Sequence, residues 1–140
     1  MTQPDFSAKM AVNCIEGALK RASMSGVDYV NLHGTGTQAN DKMEAKAVNL
    51  TLGATFASTL KPQIGHTLGA AGAIESAICV MLCMEENSTL PPHVYDGEYD
   101  ESLEAINLVK SGTKFDVKTA MSLSFAFGGD NAAIIFKRVR

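Results

Sequence analysis

No stretch of the 140-residue sequence approaches the ~18 consecutive apolar residues of a membrane-spanning helix. The opening, MTQPDFSAKM, has no apolar run either, which argues against a secretory signal peptide. Cysteine is scarce. Cys14, Cys79 and Cys83 make an odd set with no CxxC and no Cys/His zinc spacing, so free thiols in a reducing cytoplasm are expected. Charge is sparse as well. Charged residues make up 19% of the chain and the net charge is −3, which excludes a disordered polyelectrolyte and gives no sign of a nucleic-acid-binding or polybasic membrane surface. Internal repeats and low-complexity tracts are absent. What is present is a 46% hydrophobic share, enough at this length for one domain with its own core.

The apolar pattern alternates between helical and extended periods. Phe6, Met10, Cys14, Ala18 and Leu19 share a face over residues 6–24, and Gly26 stops that helix. Residues 27–32 alternate as a strand, ahead of the loop His33-Gly34-Thr35-Gly36-Thr37. Asn40 or Asp41 can cap a helix over 41–51, which Gly53 closes. Residues 55–59 are a short strand, and Lys61-Pro62 is expected to turn the chain before Gly65 and His66. A helix is expected over 67–85, Gly/Ala-rich in its first half and apolar in its second, and so buried on nearly every side. Strands at 106–109, 121–127 and 132–137 follow, the last two joined by Gly128-Gly129-Asp130-Asn131 as a hairpin. This order points to a layered α/β fold.

Two of the three histidines lie where chemistry is expected. His33 directly follows a strand, the place where α/β folds usually set their sites. His66 stands at the expected start of the buried helix, where the dipole disfavours an added positive charge. A neutral imidazole there can donate a hydrogen bond to a developing oxyanion. A single histidine so placed reads better as a loop residue satisfied by the backbone; it is two in such similar settings that favour chemistry. Glu75 falls among Ala73, Ile74, Ala77 and Ile78, and a carboxylate so placed needs a cation, of which Lys61 is the nearest candidate. The alternative is a Glu75 on a solvated edge. The glycines after Phe125-Ala126-Phe127 either form a tight hairpin or present N–H groups to a ligand.

Taken together, these segments resemble the β-ketoacyl-acyl-carrier-protein synthases, thiolase-fold condensing enzymes. The family's HGTxT loop is matched by His33 through Thr37, and its Asp-Lys-x-Glu by Asp41-Lys42-Met43-Glu44. Its K-x-x-x-G-H-x-x-G-A-A-G segment is matched by Lys61 through Gly72, with the glutamate at Glu75. A Pro91-Pro92 turn follows, and Ser124 through Asn131 matches the closing S-F-G-F-G-G-x-N. The resemblance runs over essentially the whole chain and implies the C-terminal half of a thiolase-like α/β fold, a mixed sheet packed against helices with the first strand of that half missing. Ala126, Leu123 and Pro62 depart from the usual residues.

The resemblance also implies roles. His33 and His66 would hydrogen-bond the thioester carbonyl of a malonyl-carrier substrate and stabilise the enolate formed by decarboxylation. Lys61 and Glu75 would pair to hold the second histidine. Thr35 and Thr37 would contact the phosphopantetheine arm of the acyl carrier protein, Phe127 would lend a backbone N–H beside Gly128, and Phe125 would gate the acyl pocket. No cofactor and no metal is implied. The family's cysteine nucleophile needs a helix N-terminus to lower its pKa, and none of the three cysteines has that placement. Partners implied are the carrier protein, the absent N-terminal half and a second copy of the chain. Two rival readings are a non-catalytic partner subunit like a chain-length factor, and a metal hydrolase using His33, Asp41, Glu44 and His66. Asp41 and Glu44 read more simply as acids at a helix N-terminus.

Overall fold

The computed structural model describes residues 4–139. In chain order the elements are α1 (Lys9–Ala22), β1 (Tyr29–Asn31), α2 (Gln38–Leu52), β2 (Phe56–Ser58), the one-turn helix α3 (Lys61–Ile64), α4 (Ala71–Met84), β3 (Ser88–Thr89), β4 (Asn107–Leu108), β5 (Lys114–Phe115), β6 (Thr119–Phe125) and β7 (Asn131–Lys137). Single 3-10 turns stand at Leu68–Ala70 and Phe127–Gly129. The main sheet runs β4-β2-β1-β6-β7; β1 is parallel to β2 and β6, β2 is parallel to β4, and β7 closes antiparallel to β6. The expected mixed sheet between helices is therefore present.

Strand parity makes the layers. Met121, Leu123 and Phe125 of β6 join Ile15 of α1 and Val48 of α2 in one core cluster. Ala120 of the same strand belongs to a second cluster with Cys79, Leu82 and Cys83 of α4. Side chains alternate across a strand, so Ser122 and Ser124 also face α4. These small residues let α4 approach: a Cβ added to Gly72 would stand 3.5 Å from Ser124 Oγ.

The fold departs from the sequence expectations where the chain turns. The helix expected over 67–85 begins as an α-helix only at Ala71, because Leu68 (φ 51°) takes left-handed backbone that interrupts it. Lys61-Pro62 opens α3 rather than a simple turn, and proline is tolerated there because its missing N–H falls in the first helical turn. Thr37, not Asn40 or Asp41, caps α2: its hydroxyl accepts the Asn40 N–H at 3.4 Å. Nor is α4 buried all round. Ala71, Glu75, Cys79, Leu82 and Cys83 form one buried stripe, whereas Met81 and Met84 are exposed and nothing lies within 4 Å of a Cβ built on Gly69. The antiparallel β3–β5 pair was not expected, since two-residue strands are too short to show an alternation.

Candidate active site

Three neighbouring parallel strands end at one edge of the sheet, and each delivers part of the site. His33 follows β1, Thr59 and Lys61 follow β2, and Phe125 ends β6. The chain after β2 then turns through α3 and brings His66 back. The two imidazoles meet edge to face, with centroids 5.8 Å apart and planes at 86°. Phe125 is buried and packs edge-on to His33 at 6.1 Å. The residues alone leave the histidines and the Phe125 segment as separate features, which only the resemblance joins; the fold brings His33, His66 and Phe125 together.

The Lys61–Glu75 pair is also formed. Lys61 Nζ donates to Glu75 Oε1 at 2.5 Å, with both side chains buried, while Glu75 Oε2 has no partner. Burial pushes the Glu75 carboxyl up and the Lys61 ammonium opposes this. The solvated-edge alternative for Glu75 is excluded by its 2% exposure. One expectation about His66 needs correcting. The ring is exposed and lies ahead of α4, so the helix dipole does not act on it as supposed. Its proton is placed differently: the Leu68 N–H donates to His66 Nδ1 at 3.1 Å, which leaves the ring proton on Nε2.

His33 is held by a residue whose role the motif alone did not disclose. The His33 N–H donates to Glu44 Oε1 at 2.6 Å, and the Gly34 N–H donates to Oε2 at 2.8 Å. Asn40 Nδ2 adds a third donor at 3.1 Å. Glu44 thus clamps the loop rather than serving the helix dipole, and its position on the second turn of α2 facing back to β1 could be found only in three dimensions. Of the residues in the metal-hydrolase reading, Glu44 has both carboxylate oxygens engaged by the main chain. Among the described residues no three His, Cys, Asp or Glu side chains converge on a point that could hold a metal ion.

Burial lowers His33 to about 4, helped by the positive charge of Lys61 and by His66. Its contribution to stability is therefore complete above the ordinary 6.5 and is lost as pH falls through about 4. Burial drives Glu44 the other way, up to about 7, outweighing the three donors that favour its anion. The folded chain holds that proton more tightly than the unfolded one, so this contribution is full below 4.5 and lost as pH rises through about 7. We expect the Glu44 carboxyl carbon to titrate near pH 7 by NMR, in a signal absent from Glu44→Gln. A midpoint at or below 4.5 would mean that the donors outweigh burial.

Thr35 and Thr37 share a hydrogen bond between their hydroxyls, 3.0 Å apart, on the exposed lip of the loop. Gly128 takes φ 87°, a conformation that favours glycine, inside the turn that joins β6 to β7. The side chain of Phe127 lies outside the described residues. Ala126 is extended and needs no glycine there, and its N–H donates to Asp130 O at 2.8 Å. The cysteines sit far from the nucleophile's requirements. Burial raises all three thiols, Cys79 to about 12, and none stands at a helix N-terminus.

A cavity of about 430 Å³ opens beside His66 and Lys61. Across it stand His93, Tyr95 and Tyr99, which no motif had singled out.

The family described as "Beta-ketoacyl synthase, C-terminal domain" matches residues 1–95. The chain belongs to the β-ketoacyl synthases. The 3-oxoacyl-[acyl-carrier-protein] synthase 2 of Coxiella burnetii is 37% identical over 145 residues, covering 99% of this synthase chain and 34% of that protein. A polyketide biosynthesis malonyl-ACP decarboxylase of Bacillus subtilis is 34% identical over 139 residues, covering 97% of this chain and 33% of its own length. Among solved structures, a β-ketoacyl synthase from Burkholderia phymatum superposes with a TM-score of 0.90 at 35% identity, over 100% of this chain and 34% of that one. A ketosynthase of Xenorhabdus doucetiae, solved with its chain length factor, gives 0.92 at 37% identity, over 99% and 36%. The chain thus spans a minor part of the length of each relative.

Proposed function

We propose that this chain supplies the oxyanion-stabilising half of a 3-oxoacyl-[acyl-carrier-protein] synthase, acting on malonyl groups carried by phosphopantetheine in fatty acid or polyketide elongation. The observation that carries this reading is the fixed proton of His66: Nδ1 accepts from Leu68, so Nε2–H is free to donate, opposite a His33 kept neutral by burial. In this reading the malonyl carbon–carboxylate bond breaks, CO2 leaves, and the electron pair passes onto the thioester carbonyl oxygen. Nε2–H of His66 and the His33 ring hydrogen-bond the resulting enolate, with no charge change required of either. Lys61 and Glu75 position the segment that carries His66. Thr35 and Thr37 present hydroxyls to the pantetheine arm, Phe125 gates the acyl pocket, and the Phe127 N–H with Gly128 completes the oxyanion site. Neither cofactor nor metal enters.

Condensation itself needs a cysteine acyl-enzyme, whose thioester carbonyl the enolate attacks with release of the thiolate. The raised thiols of Cys14, Cys79 and Cys83 fit no such role, so in this reading the nucleophile comes from an N-terminal synthase half. The lone chain should decarboxylate malonyl-pantetheine to the acetyl product but make no ketoacyl product. His33→Ala or His66→Ala should lower that rate by about 10²-fold or more, the usual effect of removing an oxyanion donor. Mass spectrometry checks both points; an acyl adduct on one of the three cysteines together with ketoacyl product would overturn the assignment. The rival reading as a chain-length-factor-like partner predicts no His-dependent decarboxylation at all.

The exposed apolar side of α4, with Leu68, Met81 and Met84, is in this reading the face that meets the other half, or a second copy in its absence. Light scattering should therefore find the lone chain self-associating, and a monomer that persists at high concentration would refute that placement. The expected compartment is the cytoplasm.

A further inference from the structure

One edge of the main sheet is open. β7 is the last strand there and pairs on one side only, with β6. Strand parity shows which main-chain groups are left over. The Arg138 N–H donates to Lys118 O at 2.9 Å, and the Ala126 N–H donates to Asp130 O at 2.8 Å. Hydrogen bonding alternates along an antiparallel pair, so the even-numbered residues of β7 turn their N–H and C=O groups to β6. Asn131, Ala133, Ile135 and Lys137 turn theirs outward, where no described residue meets them. Such an edge is usually blunted by proline, a bulge or repeated charge. β7 has none of these: it pairs without interruption over seven residues, and Lys137 is its sole charge.

The side chains add an apolar surface. Phe136, Ile134 and Ala132 stand opposite Ala120, Ser122 and Ser124, so they share the α4 face of the sheet. Phe136 is partly buried there, but Ile134 is 49% exposed. Cys83 Sγ lies 3.8 Å from Phe136 O, and Val80, one turn back along α4, is exposed beside it. The strand is also complementary to itself. About a twofold axis through Ile134, an antiparallel second copy sets Asn131 opposite Lys137 and Ala133 opposite Ile135, so every outward N–H and C=O of β7 has a partner. Ile134 then packs on its own copy. One residue beyond each end of the strand, Asp130 of one copy stands opposite Arg138 of the other. Arg138 already lies on the α4 face, where its Nε donates to Cys83 O at 2.6 Å, so opposite charges meet on that face. Other registers leave one end of the strand unpaired and part those charges. We infer that two copies of this chain join edge to edge through β7 in this register, making one continuous sheet. The inference does not rest on the proposed chemistry. It also uses a different surface from the outer side of α4: Met81, midway between the buried Cys79 and Cys83, faces away from the sheet.

Sedimentation velocity of the full chain is the test, made in Met81→Lys so that association through α4 is closed. That variant should still be a dimer. Adding Ile134→Lys or Ile134→Glu should raise the dimer dissociation constant by about tenfold or more, because each removes an apolar contact and sets like charges directly opposite. Mixing the two should restore the dimer, now with opposite charges at the axis. Ile134 is half-exposed, so both variants should fold, and circular dichroism checks this. Ala132→Lys, exposed on the same face, should weaken the dimer likewise. A monomeric Met81→Lys chain would put all association on α4 or leave the edge to another strand, and would overturn the inference. So would a dimer indifferent to the Ile134 variants, or one that mixing fails to restore.

Discussion

Replacing Lys61 by methionine is expected to destabilise the chain by about 3–5 kcal/mol, the usual cost of leaving one member of a buried ion pair alone. Glu75 would keep a carboxyl in the α4 stripe, 2% exposed, with neither oxygen partnered, since Oε2 already lacks a partner. Glu75→Leu alone strands the Lys61 ammonium in the same way. The double variant, Lys61→Met with Glu75→Leu, removes both charges and should recover most of the loss. Urea unfolding of the four proteins reads this directly. Simple addition of the two single losses would show that the pair is not coupled. Stability and chemistry should then separate: the double variant folds, yet the segment holding His66 is no longer tied to α4, so decarboxylation stays low.

Gly34→Ala should have an effect of similar size from a different cause. The residue has φ 48°, where alanine costs about 1–2 kcal/mol, and its Cβ would come within 2.5 Å of Thr59 Cβ. Overpacking of that kind adds roughly 1–3 kcal/mol. The strain falls on the loop whose two N–H groups Glu44 clamps, so His33 should shift along with it. Adding Thr59→Gly removes the colliding side chain and should return the overpacking share but not the backbone share. Thermal unfolding of Gly34→Ala, with and without Thr59→Gly, separates the two. An alanine variant as stable as the parent, with unchanged decarboxylation, would mean that the loop has room the geometry denies.

The strand-helix alternation was legible because burial imposes a period, and the seven residues of β6 and of β7 stand close to where alternation put them. The Lys61–Glu75 pair was legible for an equally physical reason: a carboxylate in an apolar helical run requires a cation, and one was close in sequence. Helix starts were less so. The break before Ala71 depends on Leu68 taking φ 51°, which a leucine does not advertise.

What the sequence determined by itself was the layered α/β class, the two histidines at loop positions and the lack of a suitably placed cysteine, since each follows from residue type and local period. Tertiary structure alone decided how those parts act. Glu44 lies ten residues beyond Gly34 yet closes on its N–H, and Leu68, not the helix dipole, places the His66 proton. His93 meets the cavity of His66 only because the chain returns past the ends of β1 and β2. Such contacts join segments far apart in sequence, and local propensity carries no information about which distant group will satisfy a buried donor or acceptor.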